Sequence, residues 1–282
     1  MNARLFAVLA VIFGTALAAA QGPAFEVVSV KPQPQRPVRG ARAAPNRYYQ
    51  PDTVLRSVIE FAYDLPSFRL ENGPGWIESD RWAIDARAAV PARTSEMRLM
   101  VRRLLADRFK FTAHVETREL PIYELYLARE DGKIGPNARP AALDCAPYLD
   151  GVRSVQELKD TAAKDCSGSG IVMAGIGASG VVAVSHTTLR GVPMSALTTH
   201  LERALRRGVR DKTGVSGPLD LELTYATDNP WPERPSLAFL AQLKESPPLF
   251  TALREQLGLE LRASRGPVDV LVIDSVERPT PD

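Results

Sequence analysis

Near the C-terminus Leu249, Phe250, Leu253 and Leu257 recur at helical spacing and predict a helix over 249–257 with one apolar face. A strand over 259–263, a turn over 264–267 and a strand over 268–276 follow it. An earlier stretch has the same order: helix 96–108, strand 109–115, turn 116–121, strand 122–129. Two such units about 150 residues apart predict an internal duplication, which sets the architecture before any motif is weighed.

Between these landmarks the pattern continues. Residues 25–30 alternate as a strand. Asp52 or Thr53 can cap a helix with Val54, Leu55, Val58, Ile59 and Ala62 on one side, which Pro66 ends. Residues 69–72 form a short strand, Gly73-Pro74-Gly75 a turn, and 82–86 a further strand, with Trp76 and Trp82 as core aromatics. The helix over 96–108 carries Met97, Met100, Val101, Leu104 and Leu105 inward, with Thr94 or Ser95 as its cap. Its polar side holds Arg98, Arg102 and Arg103, read as a solvated face. In the second half, 181–185 is a strand, and 193–206 a helix with Met194, Leu197, Leu201 and Leu205 on one side. Residues 209–211 make a short strand, 219–225 a strand, and the apolar run 237–243 an insertion.

Each half therefore runs strand, helix, short strand, turn, strand, helix, strand, strand. The predicted fold class is α+β: two duplicated halves, each a mainly antiparallel or mixed sheet with two helices packed on one face. The first repeat spans 24–130 and the second 181–282. A Gly/Ala-rich connection over 131–180 lies between them, with a helical run at 152–164.

Composition changes this picture in three places. Arg4, an apolar run over 5–17 and Ala18-Ala19-Ala20 predict a signal peptide over 1–20, hence a secreted or periplasmic protein. That run is too short to span a bilayer comfortably. The 35 basic and 33 acidic residues nearly cancel, which argues against a nucleic-acid partner. The acid-free, Pro/Arg-rich stretch 31–47 reads as a solvated loop, with contact to an anionic surface as the alternative. Finally, Cys145 and Cys166 are an even pair expected to form a disulfide in an oxidising compartment. A Cys-based catalytic or metal site would need a nearby histidine or a Cys-x-x-Cys spacing.

Candidate chemistry is sparse. His114, Glu116 and Arg118 alternate onto one face of a strand, and a metal there would need a third ligand from elsewhere. His186 and His200 are the other histidines, and none sits in His-Glu-x-x-His. Gly175-Ile176-Gly177-Ala178-Ser179-Gly180 matches a dinucleotide pattern but is followed by a strand, where the pyrophosphate needs a helix N-terminus. No Gly-x-Ser-x-Gly or Walker motif occurs. No catalytic residue, metal ligand or cofactor is assigned.

Several phrases together carry a resemblance. They are Phe25-Glu26-Val27-Val28-Ser29-Val30-Lys31-Pro32, Gly73-Pro74-Gly75-Trp76, Leu104-Leu105-Ala106-Asp107-Arg108-Phe109-Lys110-Phe111, Arg118-Glu119-Leu120-Pro121-Ile122-Tyr123, Asp211-Lys212-Thr213-Gly214-Val215-Ser216-Gly217 and Gly266-Pro267-Val268. With them the chain resembles the uncharacterised soil-associated protein family, a domain of unknown function of soil bacteria. The resemblance implies export, and similar domains occur fused behind membrane zinc peptidases of the beta-lactam sensor type. It implies an extracytoplasmic sensing or interaction module and brings no active site to transfer.

The expected function is an exported, non-catalytic module that binds an envelope protein, peptide or polysaccharide at a groove or strand edge. The alternative is a secreted hydrolase with a non-motif site in a pocket where the halves meet.

Overall fold

The computed structural model describes residues 23–33, 44–148, 150, 165–166, 170–174, 183–227 and 246–279. The leader over 1–20, the middle of the basic loop, the helical run at 152–164, the glycine-rich stretch 175–180 and the insertion at 237–243 lie outside them.

In chain order the elements are β1 (Val27–Pro32), β2 (Arg47–Val54), α1 (Leu55–Tyr63), β3 (Leu70–Glu71), α2 (Trp76–Ser79), β4 (Arg81–Arg87), α3 (Thr94–Phe109) and β5 (Thr112–Leu127). Then come β6 (Ala138–Pro140), β7 (Gly170–Ala174), β8 (Ala183–Val192), α4 (Met194–Leu205), β9 (Gly208–Asp211) and β10 (Leu219–Thr227). Last are α5 (Leu249–Ala252), a π turn (Leu253–Leu257) and β11 (Leu259–Ser275). The mixture is an α+β fold. Two sheets are antiparallel, in the orders β1-β4-β2 and β6-β10-β8-β7. The third, β3-β11-β5-β9, takes strands from both halves of the chain.

Two expected hairpins are absent. The turns expected at 116–121 and 264–267 are instead interior stretches of β5 and β11, strands of 16 and 17 residues. These two strands pair with each other, antiparallel, from Leu127↔Leu259 to Thr112↔Ser275, a ribbon about 50 Å long. The phase of the ladder explains why the prolines do not break it. Lys212 N–H donates to the Leu125 carbonyl on the β9 side (2.9 Å), and Ala128 N–H donates to Gly258 on the β11 side (2.8 Å). As far as the irregularity between Ile273 and Ser275, odd-numbered residues of both strands thus turn their backbone polar groups outward, and even-numbered ones turn theirs into the ladder. Pro121 (opposite Arg265) and Pro267 (opposite Glu119) are both odd, so the ladder loses no N–H to them.

The short strands flank this ribbon in parallel: β9 on β5 at Ile122–Leu125, and β3 on β11 at Leu271 and Val272. Each therefore pairs with the long strand of the other half. The cores cross over in the same way. The first gathers Leu55, Ile59, Trp82, Ile84, Leu105 and Phe109, and is completed by Leu271 and Ile273 of β11. The second gathers Leu197, Leu201, Leu221, Leu223, Leu253 and Leu257, and is completed by Leu125 of β5. Trp82 meets Phe109 edge-on at 5.6 Å, as a core aromatic. Trp76 is only half-buried, under the Arg278 guanidinium.

Helix starts are capped from unexpected places. Neither Asp52 nor Thr53 caps α1; its N-cap is Val54, and Asp52 pairs with Arg81. In α3 the N-cap is Arg93, whose N–H donates to Glu96 (2.9 Å), while Thr94 and Ser95 lie inside the helix. Asp150 satisfies the first amides, accepting from Thr94 N through its carbonyl (2.8 Å) and from Ser95 N through its carboxylate (2.6 Å). The connection between halves is thus pinned to the first core. On either side of Asp150 in the sequence, Cys145 and Cys166 are joined in a disulfide, Cα atoms 5.5 Å apart. Cys145 N–H also donates to Gly191 at the end of β8 (2.7 Å).

Candidate functional site

The three residues that alternate on β5 do lie together. His114 holds Asp274 through Nδ1 (2.8 Å) and Glu116 through Nε2 (3.0 Å). Arg118 donates to the other oxygen of Glu116 (2.8 and 3.0 Å) and to Glu71 of β3 (2.5 Å). The bond to Glu116, and then that to Asp274, hold the imidazole pKa above its ordinary value. Each ring nitrogen faces a different carboxylate, so the cluster is a polar lattice rather than a set of ligands aimed at one point. Among the described residues no three of His, Cys, Asp and Glu converge as a metal site would require.

A second constellation was not legible beforehand. His200 of α4 is buried with its Nε2 3.2 Å from both Thr187 Oγ1 of β8 and Tyr225 OH of β10. Ser185, opposite Tyr225 in the β8–β10 register, is buried beside them. Burial, helped by the Arg203 charge, pushes the His200 pKa down to about 4. A neutral imidazole set between two hydroxyls is a polar core joint. Among the described residues no carboxylate is bonded to the ring to orient it, as a catalytic base would require. His186 sits on the opposite, exposed face, with Nδ1 2.7 Å from Thr224 Oγ1.

The exposed feature of the ribbon is its edge. β9 covers the outer side of β5 only along Ile122–Leu125. Upstream, the outward-facing backbone groups of Ala113, Val115, Thr117 and Glu119 have no strand partner among the described residues. Val115 is 63 % exposed, an unusual value for a valine inside a long strand. Thr117 is steadied by Asp269 (2.6 Å), and the Glu119 carbonyl accepts from Arg265 (2.8 Å). What remains is an open lane about 20 Å long, ending where β9 begins.

At that end lies a cavity of about 140 Å³, lined by Arg69, Ile122, Glu202, Gly208, Arg210 and Val268. Arg69 donates to Glu202 (2.6 Å), which also accepts from Val209 N–H (3.0 Å). The Arg69 Nε is buried with no partner among the described residues. A methyl group on Gly208 would come within 3.1 Å of Ile122 and 3.2 Å of Val268, so glycine lets β9 start close against the ribbon. Arg210 extends over Gly266 and, among the described residues, makes only a long contact to the Pro267 carbonyl (3.4 Å).

No curated protein and no solved structure matches the chain. A family model does, over residues 56–276, which includes α1 through β11 and so the ribbon, its open lane and the cavity. On that match the chain belongs to the DUF3738 family, whose members are described as proteins of unknown function.

Proposed function

We propose that this chain is an exported, non-catalytic binding module of the bacterial envelope, and that its β5 edge takes an extended peptide segment of an envelope protein as an added strand. The observation that carries this reading is the lane at Ala113, Val115, Thr117 and Glu119, which no strand pairs with among the described residues. In strand addition, main-chain bonds supply affinity and alternate side chains supply selectivity. A bound residue above Val115 would cover an apolar side chain that now faces water.

Export is supported by the leader pattern over 1–20 and by the Cys145–Cys166 bond, which persists in oxidising compartments. No helix among the described residues is long and apolar enough to cross a membrane. The resemblance to domains fused behind membrane zinc peptidases favours a sensing or interaction role over chemistry. A hydrolase has less support: the cavity where the halves meet holds two arginines and one carboxylate already bound by Arg69.

The test is direct. Fluorescence anisotropy with a library of dye-labelled octapeptides should find binders, and Val115→Pro should weaken them about tenfold or more by removing an outward N–H. The substitution spares the ladder, because Pro121 already occupies an odd position of the same strand. An unchanged affinity in a folded Val115→Pro protein, judged by circular dichroism, sinks the reading.

We also read the halves as copies of one unit. Both α1 and α4 start directly off a strand and bury positions i, i+3, i+4 and i+7: Leu55, Val58, Ile59 and Ala62 against Met194, Leu197, Thr198 and Leu201. Both long strands follow a left-handed residue, Lys110 (φ 49°) and Gly258 (φ 65°). Further family sequences showing no similarity when their halves are aligned to each other would count against it.

A further inference from the structure

We propose that the cavity between Arg69 and Arg210 is a carboxylate site, and that it holds the C-terminal carboxylate of the strand bound on β5. The proposal rests on the edge-binding reading and adds direction and end-specificity to it.

Direction follows from the lane. β9 runs parallel to β5 and begins at Gly208, opposite Ile122. A guest strand laid upstream of β9 and parallel to β5 would end its chain at Gly208. Laid antiparallel, it would bring its N-terminal amine there instead. The charges around that end decide between the two.

Arg69, Arg207, Arg210 and Arg265 come from the turn before β3, the residue preceding β9, β9 itself and β11. Facing them are Glu119, exposed on β5, Glu124, which pairs with Arg210 in the β5–β9 register and accepts from Tyr126 OH, and Glu202, already shared by Arg69 and Val209 N–H. Arg207 lies 5.4 Å from the Tyr123 ring centre, and Arg265 serves the Glu119 carbonyl. Arg210 has no carboxylate within ion-pair distance among the described residues, and its single contact, at 3.4 Å, is too long to satisfy a guanidinium. A free amine would meet an excess of positive charge, whereas a carboxylate would meet a planar fork able to hold both its oxygens.

The lining sets the rest of the ligand. Beside the guanidinium groups lie Ile122 and Val268, so the last residue of the guest carries a small aliphatic side chain. The bare backbone at Gly208 leaves room for the guest's terminal group to come close to the ribbon. The ligand class is a peptide with a free C-terminus ending in a residue such as valine, alanine or leucine.

The experiment uses two N-acetylated, dye-labelled octapeptide libraries ending in valine, identical except that one carries a free carboxylate and the other a C-terminal amide. Each is titrated against wild-type protein, Arg210→Gln and Val115→Pro. Free-acid peptides are expected to bind wild type about tenfold or more tightly than the amides, and Arg210→Gln to weaken the free acids by far more than the amides, so that the difference shrinks. Equal binding of acid and amide to wild type overturns the carboxylate site while leaving edge binding in place. Equal weakening of both libraries by Arg210→Gln overturns it too, because the arginine then acts on the fold. Failure of both libraries to bind wild type removes the edge reading and this proposal together.

Discussion

The exchange of strands between the halves makes a prediction about cooperativity. Leu125 belongs to the first half by sequence, yet it is fully buried in the core of the second. Truncating it to alanine removes three carbon atoms from a site closed by Leu259 and Leu261 on the paired strand, in a sheet too regular to collapse inward. Leu→Ala at such sites costs about 2–5 kcal/mol. With a urea slope of about 2–3 kcal/mol per molar, that is a midpoint lowered by about 1–2 M. The informative assay is the fluorescence of Trp82, which packs on Phe109 in the other core. A Trp231→Phe background confines the signal to Trp76 and Trp82. Leu271 and Ile273 tie that core to the same ribbon, so the Trp82 transition should move down by the full amount, coincident with far-ultraviolet circular dichroism. If Trp82 keeps its wild-type midpoint while circular dichroism gains a separate early phase, the cores are independent and the interlocking argument fails.

Two further outcomes follow from the buried polar groups. His200 is held neutral with a pKa of about 4, below its ordinary value near 6.5, so the unfolded chain binds a proton that the folded one refuses. Stability should be undiminished above about pH 6.5 and fall by about 3 kcal/mol as pH drops to about 4, and His200→Gln should flatten that part of a urea-midpoint profile. His114 works in the opposite sense: its raised pKa gives a contribution present below the ordinary histidine pKa and lost as pH rises through the folded value, kept small by full exposure. The disulfide closes a loop with a sequence separation of 21, worth about 3 kcal/mol in the chain-entropy model. Reduction should lower the thermal midpoint by a few degrees, measured by calorimetry with and without reductant, and an unchanged midpoint would show that the connection contributes nothing to stability.

How far the sequence could be read depends on the range of the interaction involved. The helical faces were legible, since the apolar stripes of α1 and α3 are set by side chains three or four apart, and of the expected residues all but Val54, the N-cap of α1, are buried. The cap of α3 was not, because Asp150 reaches it from more than fifty positions away. Nothing local in the sequence joins Ser185, Thr187, His200 and Tyr225 into a group. Only the pairing of β8 with β10, and the helix laid over them, turns them inward together.

The prolines show the same limit and something more. Pro121 and Pro267 sit among glycine, charge and β-branched residues in a pattern that local rules assign to turns. What overrides those rules is parity: an odd position leaves the missing N–H on the outer side, where a proline costs no ladder bond. At such a position proline also denies a donor to any strand approaching from outside. On β5 it does so at the point where β9 takes over, so it closes the end of the open lane and leaves the amides upstream of it available. A chain guarding the whole edge against pairing would place its proline or its charges across the middle of the lane, where this one has Val115. The feature that misled the local reading thus marks where a strand added at this edge, as proposed, would have to stop.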